Sequence, residues 1–346
     1  MKTLAKLLIV LLIFAACKST QAPETNTSTA QQIDADLIIA FGSCNDQDLE
    51  NPLWDDVLAN NPSYWIWGGD NIYSDTDDMQ LMARHYEKQL AQKGYKEIMS
   101  KLKIHGTWDD HDYGLNDGGL EFKAKKGSQQ LLLDFLGVSK EDQRRKREGV
   151  YYSEMITTAK GSVKLIVLDL RYHRTSMQKS TKPNTKFEKN SYGEGSMLGE
   201  AQWKWLENEL NVSQADFNMV ISSIQVLPEE HGYEKWANMP HEVDRFKKLV
   251  KSSKAKAVIV LSGDRHISEF SKTTIEGVDY PLIDFTSSGL THSYDKFTSE
   301  PNRFRVGKVV SDKSFGIIKV KFETKTLILQ MRGDKNRLQQ ELIQGY

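Results

Sequence analysis

Short apolar runs recur along this chain, each closed by a polar turn: 37–41, 64–67, 103–108, 151–155, 163–168, 219–224, 257–261, 281–285, 315–322 and 327–331. Their length and their β-branched and aromatic content predict strands. Between them, helical spacing of apolar residues predicts helices over 52–60, 79–102 (broken at Gly94), 129–136 (closed by Gly137), 198–210 and 242–250. Trp203, Trp205, Leu206 and Leu210 form the core-facing side of the fourth helix. Strands alternating with helices predict a layered α/β domain. The final two runs read as a hairpin, which argues for mixed rather than purely parallel sheets.

Composition narrows the picture. The 346 residues, 39% of them apolar, are enough chain for a large core. The strand and helix series uses all of 35–346, read as one domain. The formal net charge is −1, and removing Lys2 and Lys6 with a leader takes it to about −3. That excludes a strongly basic nucleic-acid binder, and no specific nucleic-acid partner is expected. The charged run 141–148 reads as a solvated face, and the polar stretch 175–198 as a long loop rimming a site.

Residues 1–16 have a charged start and a short apolar run ending at Ala15-Ala16, the pattern of a signal peptide. The run is too short to span a bilayer core of roughly 30 Å. Cys17 follows directly, as in a bacterial lipobox, so Cys17 is the expected lipidation site and 17–34 a flexible tether. The expected location is the bacterial cell envelope, periplasmic or outer-membrane face, with a lipid anchor in the membrane. Cys44 then has no disulfide partner; it is either a buried core thiol or a metal thiolate.

Several predicted strands run into ligand-type residues. These are Phe41-Gly-Ser-Cys44, Gly69-Asp70-Asn-Ile-Tyr73, Trp108-Asp-Asp-His-Asp112 and Ser262-Gly-Asp-Arg-His266. Asp169-Leu-Arg171-Tyr172, Leu198-Gly-Glu-Ala-Gln-Trp-Lys-Trp-Leu206 and Trp236-Ala-Asn-Met-Pro-His-Glu-Val-Asp-Arg245 lie between or beside them. In order and spacing this set resembles the PhoD-like (alkaline phosphatase D) phosphatases and phosphodiesterases of the calcineurin-like metallophosphoesterase superfamily. The resemblance implies a four-layer αββα sandwich of two mixed β-sheets flanked by helices. It also implies hydrolysis of phosphate esters by metal-bound hydroxide at a two-metal centre.

On that reading Cys44, Asp70, Tyr73 and His266 form a sulfur, oxygen and nitrogen site that suits a strongly acidic ion such as Fe3+. Asp110 and Asp264, with Asp70 bridging, form an oxygen-only site that suits Ca2+. Zn2+, Mn2+ and Mg2+ are the alternative metals. Asp109 is either a ligand or the carboxylate that orients His111, and Asn116 either offers its amide oxygen to the second metal or caps a turn. His111 is the expected general acid for the leaving alkoxide, and Arg171 the expected clamp on a non-bridging phosphate oxygen. His231, His241 and His292 are assigned to structure or substrate contact rather than metal.

The expected substrate is a small phosphate ester, or a phospholipid or polymer diester, handled by a monomer. The alternative is a non-catalytic lipoprotein that keeps the fold for binding at the envelope.

Overall fold

The computed structural model describes residues 35–346, so the leader, Cys17 and the tether lie outside the described residues. From there the chain runs through β1 (Leu37–Gly42), α1 (Trp54–Leu58), β2 (Tyr64–Gly68), α2 (Met79–Ala91), α3 (Lys93–Lys101) and β3 (Lys103–Thr107). Then come α4 (Asp110–Tyr113), α5 (Lys125–Phe135), β4 (Tyr152–Thr157), β5 (Ser162–Val167), α6 (Gly199–Asn211) and β6 (Phe217–Ile221). The last part holds α7 (Pro240–Ser252), β7 (Val258–Ser262), β8 (Ser268–Thr273), β9 (Leu282–Thr286), β10 (Arg305–Val310), β11 (Phe315–Lys321), β12 (Thr326–Gly333) and β13 (Arg337–Gly345).

These strands make two mixed sheets, ordered β13-β12-β11-β1-β2-β3 and β10-β8-β9-β7-β6-β5-β4. β1, β2 and β3 are parallel. So are β5, β6, β7 and β9. Both parallel groups carry antiparallel neighbours.

Successive side chains on a strand point to opposite faces, and here both faces are apolar because both are covered. In β1, Ile39 and Phe41 enter the layer between the sheets, where they meet Leu165, Val167, Ile221, Leu261 and Phe285. Ala40 points the other way, with Trp65 and Trp67, onto Trp54, Met82, Ile98 and Leu132 of the flanking helices. On the second sheet, Ile166, Val220 and Val260 face Trp203, Leu206 and Phe246 of α6 and α7. Three apolar layers therefore separate four layers of structure, the αββα sandwich expected. The first helical layer is anchored by aromatics: Trp67 Nε1 donates to the Tyr95 hydroxyl at 2.9 Å, and Trp54 packs edge-on against Trp65 at 5.1 Å. Truncating such a tryptophan to alanine costs about 3–5 kcal/mol.

Two departures from the sequence pattern have physical causes. The 79–102 helical stretch breaks at Gln92 (ψ 130°) rather than at Gly94, which lies inside α3. Gly94 is there for contact, since a Cβ would stand 2.6 Å from Trp54. The tail holds more strands than the predicted hairpin. β10 and β13 are sheet edges with solvent-facing Arg, Lys, Gln and Glu, and β8 upstream, Ser-Glu-Phe-Ser-Lys-Thr, is an interior strand whose buried positions are mostly polar, so all three lack an apolar run.

The two sheets are joined at one end. Thr107 Oγ1 donates to the Leu168 carbonyl at 2.7 Å, Ser43 Oγ to the Ser287 carbonyl at 3.1 Å, and Gly289 N to the Ser43 carbonyl at 3.2 Å. That end is the carboxyl end of the parallel strands, where open α/β sheets place their ligands. Among the described residues, no helix is long and apolar enough to cross a membrane.

Candidate active site

β1, β2 and β7 each end in a turn that the chain enters with a left-handed residue. Cys44 (φ 60°), Asp70 (φ 50°), Asp264 (φ 68°) and His266 (φ 52°) are all non-glycine residues in this region. Each such residue costs on the order of 1–3 kcal/mol and persists only where surrounding structure enforces it. The enforcement is visible: Cys44 N donates to the Gly69 carbonyl and Asn45 N to the Asp70 carbonyl. Gly69 itself has φ 103°, and a Cβ there would stand 2.6 Å from the Asp109 Cβ.

The turns bring two groups together. In the first, Cys44 Sγ lies 3.3 Å from Asp70 Oδ2 and 3.0 Å from Ser288 Oγ. Tyr73 OH lies 2.9 Å from His266 Nε2. Ligand atoms of Cys44, Asp70 and His266 all fall within 4.8 Å of one another. His292 packs edge-on against His266, with centroids 4.5 Å apart, and flanks this group.

The second group is carboxylate. Asp109, Asp110 and Asp264 share the same 4.8 Å neighbourhood, and Asp70, Asp110 and His111 do likewise. Asp110 Oδ2 accepts from Asp117 N at 2.6 Å and from Asn116 Nδ2 at 2.8 Å. The tight turn that presents it is held by Asp112, which accepts from Asp109 N at 2.7 Å and from Asn71 Nδ2 at 2.6 Å.

The charges do not balance internally. Burial pushes the Cys44 thiol up to about 11, and burial with the neighbouring Cys44 and Asp70 charges holds the Tyr73 hydroxyl well above its usual range. Burial and adjacent acids likewise raise Asp70 and Asp264 well above the carboxylate range, and take Asp109 to about 7. Burial acts the same way on Asp110, but Arg171 and His111 outweigh it and hold its carboxyl below the usual range. Burial would depress His111, yet the Asp70, Asp75 and Asp110 carboxylates lift it to about 10. His266 drops to about 3 through burial and the nearby His292 and His111.

The predicted site residues are placed as follows. Cys44, Asp70, Tyr73, Asp109, Asp110, His111, Asp264 and His266 converge, and Asn116 joins them through its contact with Asp110. Arg171 does not reach the cavity. Its guanidinium is fully buried, with Nε 2.6 Å from Asp109 Oδ1 and an ion pair to Glu234 at 2.7 Å, so its fork is already filled and no face is left for a phosphate. Asp109 is not the carboxylate that orients His111 either; it meets Arg171 and the Ser223 hydroxyl at 2.7 Å. The residue that holds His111 Nδ1 is Asp75, at 2.7 Å. Asp75 and Glu234 are absent from the sequence-derived site. Neither ends a predicted strand, and only folding brings them in. Lys186, from the 175–198 loop, pairs with Asp117 on the rim.

Asp70, Asp110, His111, Asn116, Asp264 and His266 are among the residues that wall a cavity of about 340 Å³. A buried thiol, a phenol and several carboxyls driven toward their neutral forms by burial, and further by mutual repulsion, are the donor set of a cation site, because only a nearby positive charge lets them ionise together. Asp109 Oδ2 is buried and has no hydrogen-bond partner among the described residues. The residues present therefore fit the binding of metal.

Comparison with known proteins agrees. The fold matches a solved structure of PhoD with a TM-score of 0.70 at 15% identity, over 90% of this chain and 69% of that one. It also matches a dimetal phosphatase from Danio rerio (TM-score 0.53, 13% identity, 90% and 100% covered). A third match is GAP50, described as the anchor in the inner membrane complex of Plasmodium (TM-score 0.59, 12% identity, 90% and 89% covered). The fold is thus of metallophosphoesterase type. No curated protein matches the chain by sequence. The family model for PhoD-like phosphatase matches residues 139–331, more than half of the chain, and the chain belongs to that family. It is a hydrolase acting on phosphoric ester bonds, and a metal-dependent one.

Proposed function

We propose that this protein is an exported, envelope-anchored phosphomonoesterase or phosphodiesterase working with two unlike cations. The observation that carries the reading is the convergence of Cys44, Asp70, Tyr73 and His266 beside Asp110 and Asp264, four of the six in left-handed backbone. The sulfur-containing group would hold the more strongly acidic cation, Fe3+, and the carboxylate group a hard cation, Ca2+, with Asp70 shared. Zn2+, Mn2+ or Mg2+ are the substitutes to compare. When bound, such a pair supplies positive charge to the phosphate oxygens and acidifies an attacking water.

The chain's own residues do the rest. His111 stacks over Tyr73, with centroids 4.1 Å apart, and Asp75 fixes its Nδ1, so Nε2 is the nitrogen offered to a leaving oxygen on the cavity side. Arg171 acts as a positioning residue: with Ser223 it holds Asp109, whose second oxygen stays unpartnered beside Asp110 and Asp264.

Metal analysis with visible absorption tests this reading. About one iron and bound calcium per chain, with a charge-transfer band shifted or lost in Cys44→Ser and Tyr73→Phe, would support it. A colourless protein that takes up neither metal on reconstitution would overturn the ferric assignment. Activity restored only by zinc or manganese would keep the esterase and change its metals. Export and anchoring follow from the Lys2–Cys17 pattern. Cys17→Ser should abolish incorporation of labelled palmitate; unchanged labelling would refute the anchor.

A further inference from the structure

The cavity wall has one property that phosphate chemistry does not need. Apart from two residues, its side chains are charged, imidazole or small and polar. The two are Tyr233 and Tyr294, 38% and 39% exposed. Among the described residues only three aromatic side chains are exposed to this degree, the third being Tyr192, so two of the three wall this one cavity. Exposed aromatic rings gathered at a mouth that is otherwise ionic mark a ligand surface rather than leftover core.

Both rings are held by the site itself. Tyr294 N donates to the His266 carbonyl at 2.7 Å, which ties that ring's backbone to a proposed ligand. Tyr233 directly precedes Glu234, the partner of Arg171, and the Arg265 guanidinium lies 4.4 Å from its ring centroid. Arg265 is buried and paired with Glu300 at 2.6 Å, so its charge is satisfied; it supports the tyrosine ring rather than meeting a phosphate. Lys186 on the same wall is engaged by Asp117. The rim therefore offers flat apolar faces and no unpaired cation for a second phosphate.

We propose that Tyr233 and Tyr294 form a recognition surface for a planar ring on the leaving alcohol, so that the preferred substrates are aromatic or nucleoside phosphate esters. This rests on the phosphoesterase reading above and names the substrate class of the same site.

The test compares adenosine 5′-monophosphate with ribose 5-phosphate, which present the same primary alkoxide and differ by the base. For the metal-replete full chain, both affinity by calorimetry and kcat/KM should favour the nucleotide by roughly five- to hundredfold, the range of base–aromatic stacking. Tyr233→Leu and Tyr294→Leu should narrow that gap, lowering affinity and kcat/KM for the nucleotide more than for ribose 5-phosphate, while Tyr233→Phe and Tyr294→Phe should keep it. Equal affinities and rates for the two esters in the parent protein, or parallel losses on both in the leucine variants, would overturn the ring surface while leaving the esterase intact. An affinity gap without turnover of either ester would support the ring surface and count against the esterase.

Discussion

The two halves of the candidate site are built from the same sheet ends but differ in kind. Around Cys44, Tyr73 and His266 the donors are a thiol, a phenol and an imidazole, all pushed toward their neutral forms by burial. Around Asp110 the donors are carboxylates, stiffened by a backbone amide, Asn116 and Asp112. The first half tolerates the absence of a cation by keeping its protons. The second cannot do so as well, because Arg171 and His111 hold Asp110 ionised beside Asp109 and Asp264. The lesson is that burial favours neutral donors in both halves, raising Asp70, Asp109 and Asp264 as well, while a buried guanidinium and His111 preserve charge at Asp110 alone. On the proposed reading, the sulfur-containing group would take the more acidic cation and the carboxylate group the harder one.

The sharpest way to break that contrast is through the residue both halves share. Asp70→Asn should lower kcat/KM by about 10³-fold or more, since losing a shared ligand removes several kcal/mol of charge stabilisation. It should also lower the content of both metals; loss of one metal alone would show that Asp70 belongs to one half. Next comes His111→Ala, with an expected loss of roughly 10²–10⁴-fold that is larger for alkyl than for nitrophenyl leaving groups. A uniform loss across leaving groups would remove His111 from the proton-donor role.

Arg171→Ala tests the charge-preserving half through stability. It leaves Asp109 buried without its guanidinium and Glu234 with Arg174 alone, and should cost about 3–5 kcal/mol in denaturant unfolding. A stable variant whose only defect is a raised KM would return Arg171 to phosphate binding.

The smallest expected effect lies outside both halves and serves as their reference. Burial, with Arg144 and Lys103 nearby, lowers the His105 imidazole to about 4, far below its ordinary 6.5. The unfolded chain takes up that proton first, so stability falls as pH drops from about 6.5 to about 4, by up to about 3 kcal/mol. His105→Gln should flatten this window. An unchanged acid limb would put the sensitivity in the site carboxylates instead.

Legibility in the sequence followed chain locality. Cys44, Asp70, Asp110 and Asp264 were readable because each stands a few residues past an apolar run, and a strand that ends in a ligand-type residue is a local signal. Asp75 and Glu234 were not readable. Asp75 sits in an acidic stretch, 74–78, that looks solvated, and Glu234 in a loop far along the chain from Arg171. Arg171 was legible as important but its partners were not, since a guanidinium's partners are set by which carboxylates fold against it. Edge strands β10 and β13 escaped notice because one-sided, solvent-facing strands carry charge, and β8 because its buried positions are mostly serine and glutamate.

By itself, then, the sequence determined the layers, the positions of the strand ends and the chemistry of most candidate ligands, because periodicity and residue type act within a few residues. Only the tertiary structure decided which ligands share a neighbourhood, that His111 leans on Asp75, that Arg171 is spent on Asp109 and Glu234, and that two tyrosines reach the cavity. Those outcomes depend on how the two sheets meet at Ser43 and Thr107, a contact between segments that no local pattern encodes.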